Sequence, residues 1–334
     1  MLRRLQHAQL AVIVCLALAS TAWAAPISYS FLSVANPNDT AFTQLLGINN
    51  SSTIAGYWGD GTVVPNHGFT LVLPSSFTAE NVPLALQTQV IGINNTGWTD
   101  GFFVDKGGAS GPVTIGFTFN GSKFTPVTSP GTKFNQLLGI NDSLTQVGYS
   151  SLDPTGMTLQ RSYEHSGKTF TYLDGFLPSG VGNNQAVGIN NAGTVAGFYQ
   201  DSMGVFHGYL LSAADVLTTL NFPGSMDTSA FGINNNGLVV GIYTDGMGVQ
   251  HGFTYNTVTN TWQTVDDPVA DPGTTLINGL NDKGQLVGFY MSGANTIGFV
   301  ATPTMSTVPE PGSLLLLGSG ILVGLGLFRR KRAR

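Results

Sequence analysis

Between residues 27 and 303 the chain falls into short runs in which apolar or aromatic positions alternate with polar ones. Clusters of Gly, Asn and Asp separate the runs, a pattern that predicts strands and turns. One stretch recurs six times: GINNSSTIAGY from 47, GINNTGWTDGF from 92, GINDSLTQVGY from 139, GINNAGTVAGF from 188, GINNNGLVVGI from 232 and GLNDKGQLVGF from 279. The starting glycines lie 45, 47, 49, 44 and 47 residues apart. A second glycine follows each after nine residues, at Gly56, Gly101, Gly148, Gly197, Gly241 and Gly288. A fixed offset inside a variable period marks one local geometry joined by tolerant loops.

The motif predicts a hairpin. An apolar Ile or Leu ends one strand. Asn-Asn or Asn-Asp then opens a turn, because these side chains bond nearby backbone and tolerate positive φ. The next strand carries β-branched and aromatic residues, and its internal glycine predicts a bulge or a close backbone approach. A third, alternating run follows, as in NHGFTLV from 66 and QHGFTYN from 250. A fourth often ends in Pro, as in KFTPVTSPG from 123 and LTTLNFPG from 217. Four short strands per period of about 45 residues predict an all-β body, residues 25–303, organised as a six-repeat β-propeller. The sixth copy lacks a fourth strand, and ISYSFLSVANP (27–37) is the candidate to complete it and close the ring, leaving no open edge. An open solenoid or a sandwich of the same hairpins is the alternative. The second copy, GWTDGFFVDKGGASGPV, departs most from the pattern.

These copies resemble the HAF family of extracellular repeats, on the GIN turn, the VG-aromatic strand and a His-small-aromatic strand. That last part is here His67-Gly68-Phe69, His207-Gly208-Tyr209 and His251-Gly252-Phe253. Copies two, three and six lack the His. The resemblance covers roughly residues 40–303 and implies an extracellular repeat protein with no reaction attached.

The two ends differ from the body. Arg3 and Arg4, an apolar stretch from Leu10 to Ala19 and the small-x-small site Ala22-Trp23-Ala24 predict a signal peptide, residues 1–24, cleaved after Ala24. The single cysteine, Cys15, lies inside it, so no disulfide or thiol chemistry is expected of the exported form. Two of the 13 basic residues lie in this leader and five in the last six positions, while Glu310 is the one acidic residue of 18 outside 25–303. The body therefore holds six basic and seventeen acidic residues, a net charge of −11. Such a surface repels nucleic acid.

Candidate chemistry in the body is sparse. His67, His207 and His251 recur at equivalent strand positions; they are expected to bond neighbouring turns, with convergence on a channel as metal ligands the alternative. His165 is off that register and is expected in a loop. Asp60, Asp105, Asp153, Asp201 and Asp245 sit between second and third strands, where Asp is ordinary turn chemistry and calcium binding the alternative. SGKT (166–169) has Ser162 where a phosphate loop needs Gly, and lies between predicted strands. Asp266 and Asp267 precede Pro268 and predict a turn. No catalytic carboxylate pair, nucleophile with base, metal or cofactor is expected. The reading is of a non-enzymatic binding or structural protein, with a secreted polysaccharide hydrolase or lyase as the alternative.

The C-terminal residues 304–334 carry the sharpest signal. Val308-Pro309-Glu310-Pro311 precede an uncharged stretch, 312–328, of about 25 Å as a helix. Arg329, Arg330, Lys331, Arg332 and Arg334 follow. These three parts, in this order and spacing, resemble the PEP-CTERM protein-sorting tail. The resemblance implies an exosortase as transient partner, acting near Pro309-Glu310-Pro311. It implies an inner-membrane helix over 312–328 with the basic end 329–334 in the cytoplasm, in keeping with the positive-inside rule. The body would then be released or transferred to the cell surface or matrix, with exopolysaccharide as a possible partner. Two prolines around one residue keep the site extended.

Overall fold

In the computed structural model the described residues are 27–107 and 111–304. The signal peptide, the sorting motif, the 312–328 segment and the basic end, including Ala22, Ala24, Val308–Pro311 and Arg329–Arg334, lie outside them. Among the described residues no helix is long and apolar enough to cross a membrane, and the one helical element is a 3₁₀ turn, Asp174–Phe176.

The body is all-β, a propeller-like arrangement of four-stranded antiparallel sheets. The first holds β2 (Thr43–Ile48), β3 (Thr53–Trp58), β4 (His67–Val72) and β5 (Ser76–Ala79) in that order. The fourth and fifth copies form β14 (Asn184–Ile189) to β17 (Leu217–Leu220) and β18 (Asp227–Ile233) to β21 (Thr261–Thr264). Between them in sequence come β15 (Val195–Gln200), β16 (Phe206–Leu211), β19 (Leu238–Thr244) and β20 (Gln250–Asn256). The last sheet runs β1 (Ser28–Val34), β24 (Asn295–Thr304), β23 (Leu286–Ser292), β22 (Leu276–Leu280), so the N-terminal strand supplies its outer edge.

The second and third copies join as one eight-stranded sheet. The second contributes β6 (Gln87–Ile93), β7 (Thr99–Asp105), β8 (Val113–Phe119) and β9 (Phe124–Val127). The third contributes β10 (Phe134–Ile140), β11 (Gln146–Ser151), β12 (Gln160–Ser166) and β13 (Thr169–Tyr172). Each half is antiparallel within itself, and a single parallel pair, Phe134 with Thr114, links the two.

The repeated glycines have distinct jobs. In all six copies the register shift lies in the first strand, next to the first glycine, as between Leu45 and Gly47. The bulge expected at the second glycine is therefore on its partner strand. The first glycine is where first strands of successive copies approach one another: a Cβ on Gly47 would sit 2.6 Å from the Ile91 carbonyl, and one on Gly279 would sit 2.4 Å from that of Leu46. The second glycine faces the bulge; a Cβ on Gly56 would meet the Gln44 carbonyl at 2.2 Å.

Apolar side chains bury themselves between neighbouring sheets. Ala55 of the first sheet packs with Val90, Phe103 and Phe117. Ala196 packs with Ala230, Val239 and Phe253, Val240 with Ile277 and Phe299, and Val287 and Val300 of the last sheet with Leu45 and Phe69 of the first. Burial at these faces is the main favourable term for a body with so few ion pairs.

Candidate functional site

The Asn-Asn and Asn-Asp pairs of the six turns gather at one end of a central channel. Asn49, Asn94, Asn141, Asn190, Asn234 and Asn281 are buried there. The Oδ1 of Asn49 accepts the backbone N–H groups of Ser51 and Thr53, both at 3.0 Å, which shapes the turn. The Nδ2 of each Asn donates to the carbonyl of its counterpart in the next copy. The distances are 3.1, 3.0, 3.2, 3.2 and 2.9 Å in chain order, and 3.0 Å from Asn281 back to Asn49. The cycle closes with six members.

A second cycle lies outside the first. The backbone N–H of Asn50, Asn95, Asp142, Asn191, Asn235 and Asp282 each donates to the Oδ1 of the next, at 2.7–2.9 Å, and Asp282 returns to Asn50. Asp142 and Asp282 stand three members apart. The Oδ2 of Asp142 accepts the amides of Asn95 (2.9 Å) and Asn191 (2.6 Å); that of Asp282 accepts those of Asn235 (2.9 Å) and Asn50 (2.7 Å). Burial alone would raise both carboxyls, but these donors outweigh it and hold both below the usual range. Fully donated carboxylates of this kind serve poorly as bases, which need a raised pKa and a free oxygen.

This mouth encloses a cavity of about 70 Å3. Below it the channel turns apolar through Ile48, Ile93, Ile140, Ile189, Ile233 and Leu280. It opens at the far end past Leu46, Ile91, Leu138, Val187, Phe231 and Asn278.

The three recurrent histidines lie on third strands, away from this lining. His207 bridges Asn221 Oδ1 (2.8 Å) and Asp201 Oδ2 (3.3 Å). His251 has Nδ1 at 2.7 Å from Asp266 and Nε2 at 3.6 Å from Asp245. Burial lowers its pKa, yet the hydrogen bonds and charge of Asp266 and Asp245 outweigh that and raise it. His67 stacks on Trp58 with ring centroids 4.2 Å apart. His207 and His251 therefore tie loops to strands, His67 packs on a neighbouring strand, and the three do not converge. His165, expected in a loop, is a buried residue of β12 with Nδ1 2.6 Å from Gln146 Oε1.

The loop aspartates cap turns: Asp60 Oδ1 accepts three backbone N–H groups, and Asp201 and Asp245 two each. Asp153 is drawn down to about 2 by the backbone and side chain of Thr155 and then by Thr158. SGKT is the β12–β13 turn. Asp267 caps the turn that Pro268 signalled. Among the described residues no group of three or more His, Cys, Asp or Glu is placed to hold a metal ion.

The divergent second copy places a carboxyl in the core. Asp100 occupies the position of Ala55, Val147, Ala196, Val240 and Val287 in the other copies. It is fully buried, accepts the Gly92 N–H at 3.0 Å, and its Oδ2 has no partner. Burial pushes its pKa up to about 8 against the pull of that hydrogen bond. Nearby Glu80 is raised by burial too, its Oε2 taking the Thr99 hydroxyl at 2.7 Å.

Residues 307–332 match the PEP-CTERM protein-sorting motif. The tail is a PEP-CTERM sorting motif. It implies an exported protein, held transiently at a membrane before an exosortase processes it. The match lies outside the described residues and does not extend to the repeats. No curated protein matches the chain. Among solved structures, an Aleuria aurantia lectin mutant in complex with Fucα1-6GlcNAc is 13% identical, covering 80% of this chain and 97% of that one at a TM-score of 0.47. A Trypanosoma rangeli sialidase with the inhibitor DANA is 10% identical, covering 88% and 61% at 0.49. An oligogalacturonate lyase in complex with manganese is 10% identical, covering 84% and 97% at 0.44. At these values the likenesses assign no ligand or activity to this chain.

Proposed function

We propose that this is an exported, non-enzymatic protein of the cell surface or extracellular matrix, whose body is a six-bladed propeller that binds exopolysaccharide. Its signal peptide, 1–24, starts export. The segment 312–328 crosses the inner membrane with 329–334 on the cytoplasmic side, and an exosortase cuts near Pro309-Glu310-Pro311. The six-membered Asn cycles and the lone parallel pair between the halves of the eight-stranded sheet support six blades. The pairing of β1 with β24 supports ring closure by the N-terminal strand.

One observation carries the non-enzymatic reading: the carboxylates lining the channel, Asp142 and Asp282, have their oxygens occupied by Asn donors. A secreted hydrolase or lyase is the second reading, favoured by His251 between Asp245 and Asp266. The two separate on incubation of the full-length protein with matrix polysaccharide. Retention of polymer without new reducing or unsaturated ends is expected, and release of such ends overturns the non-enzymatic reading. Changing Pro309, Glu310 and Pro311 to Ala is expected to trap a full-length, membrane-bound form; mature protein of unchanged size outside the cell would sink the sorting route.

A further inference from the structure

Between the β14–β17 and β18–β21 sheets, at the strand ends remote from the Asn turns, lies a cavity of about 320 Å3. Ligand sites start at roughly 300 Å3. Its wall is aromatic. Phe198 packs on both Phe206 and Phe231, its ring steeply inclined to each, with ring centroids 5.7 and 6.0 Å apart. Tyr243 borders the same cavity, fixed by its hydroxyl contact with Thr264 at 2.7 Å and by stacking on Phe222 at 3.7 Å.

Among the described residues one carboxylate lines this wall, at Asp227. Its Oδ1 accepts the Phe206 N–H at 2.8 Å. The same tie between one copy's first strand and the preceding copy's third strand is made by neutral side chains elsewhere, Asn183 to Gln160 at 3.2 Å and Gln87 to Asn66 at 3.4 Å. An amide suffices for the tie, so the second oxygen of Asp227 is surplus to it. The Gln250 side chain also borders the cavity.

Resting on the carbohydrate-binding reading above, we infer that this cavity is its site and takes one pyranose ring of a neutral polysaccharide. The C–H face of the sugar lies against the electron-rich face of one ring of this aromatic wall, Phe198. Its hydroxyls donate to Asp227 Oδ2, a charge-assisted bond stronger than a neutral one. Among the described residues no basic side chain lines the cavity, and the body around it carries a net charge of −11. A uronate or sulfate would bring its own charge onto Asp227.

The test uses the full-length protein in mild detergent with immobilised glucan, galactan and mannan oligosaccharides, and oligogalacturonate as the anionic probe. Wild type is expected to bind at least one neutral series and to leave oligogalacturonate. Asp227→Asn keeps the tie to Phe206 and is expected to weaken binding about tenfold or more at an unchanged melting temperature. Phe198→Leu is expected to weaken it similarly; should that variant melt early, Asp227→Asn decides. Neutral binding that both variants leave intact overturns this site while the carbohydrate reading stands. Equal binding of oligogalacturonate overturns the neutral-sugar inference. No binding of any probe by wild type overturns the carbohydrate reading and the site together.

Discussion

At one end of the channel the six copies supply the same Asn followed by Asn or Asp, and the amides and carboxylates are spent on one another. At the other end the matching first-strand positions are Leu46, Ile91, Leu138, Val187, Phe231 and Asn278, and the loops beyond differ in length and composition. Val63, Leu84, Met203 and Met247 stand more than 80% exposed on those loops and connections. Uniformity marks the end where each copy must fit its neighbours. Divergence marks the end free to specialise.

The sharpest way to break this comparison is at the inner cycle. Asn49→Ala removes a donor to Asn94 and strands the N–H groups of Ser51 and Thr53. It is expected to cost about 3 kcal/mol in chemical unfolding. Asn95→Ala in the exposed outer cycle is expected to cost under about 1 kcal/mol. Equal losses would erase the distinction between a buried structural cycle and its solvated partner.

Asp100 tests what a copy-specific departure does inside the conserved half. Its folded carboxyl, held up to about 8 by burial, keeps a proton that the unfolded chain loses near pH 4. Stability is therefore expected to fall as pH rises from about 4 to about 8, by at most roughly 1.4 kcal/mol per pH unit. In Asp100→Asn that slope should become shallower, leaving the part that Glu80 contributes; a melting temperature with the same pH dependence in both proteins would show that Asp100 is not the buried acid described.

The smallest effect belongs to the mouth carboxylates. Asp142 and Asp282 are held low by Asn donors against burial. Their contribution is present above the unfolded value near pH 4 and is lost as pH falls through the folded values. The stability difference between wild type and the double variant Asp142→Asn, Asp282→Asn is expected to narrow below pH 4; a constant difference would mean that their charge contributes nothing.

Much of this was legible in the sequence, because six copies vote on each position. The hairpin, the third strand and the N-terminal candidate strand were readable from alternation and from Gly and Asn punctuation. Four features were not. The first copy's fourth strand, β5, is four mostly exposed residues with one core-packed side chain, Phe77, too little alternation to announce it. The bulge sits beside the first glycine because that residue meets the next copy's backbone, a contact invisible in local pattern. The Asn pairs read as turn formers, yet their second role joins residues 44 to 49 apart, and 232 apart at closure. A turn needs one Asx; the same buried Asn in all six copies was the available signal. Asp227 and the aromatic cavity had none, since they belong to one copy pair.

The inner cycle has a direction: every amide points to the next copy in the same rotational sense. A head-to-tail ring of this kind acts as a tally. Losing one copy would strand an amide on one side and a carbonyl on the other, and an extra copy would have to be admitted between two partners already joined. Repeat arrays lengthen and shorten readily by recombination, but here the gene can change its copy number only by re-forming the whole circle, so the Asn collar is itself a reason for six copies to persist.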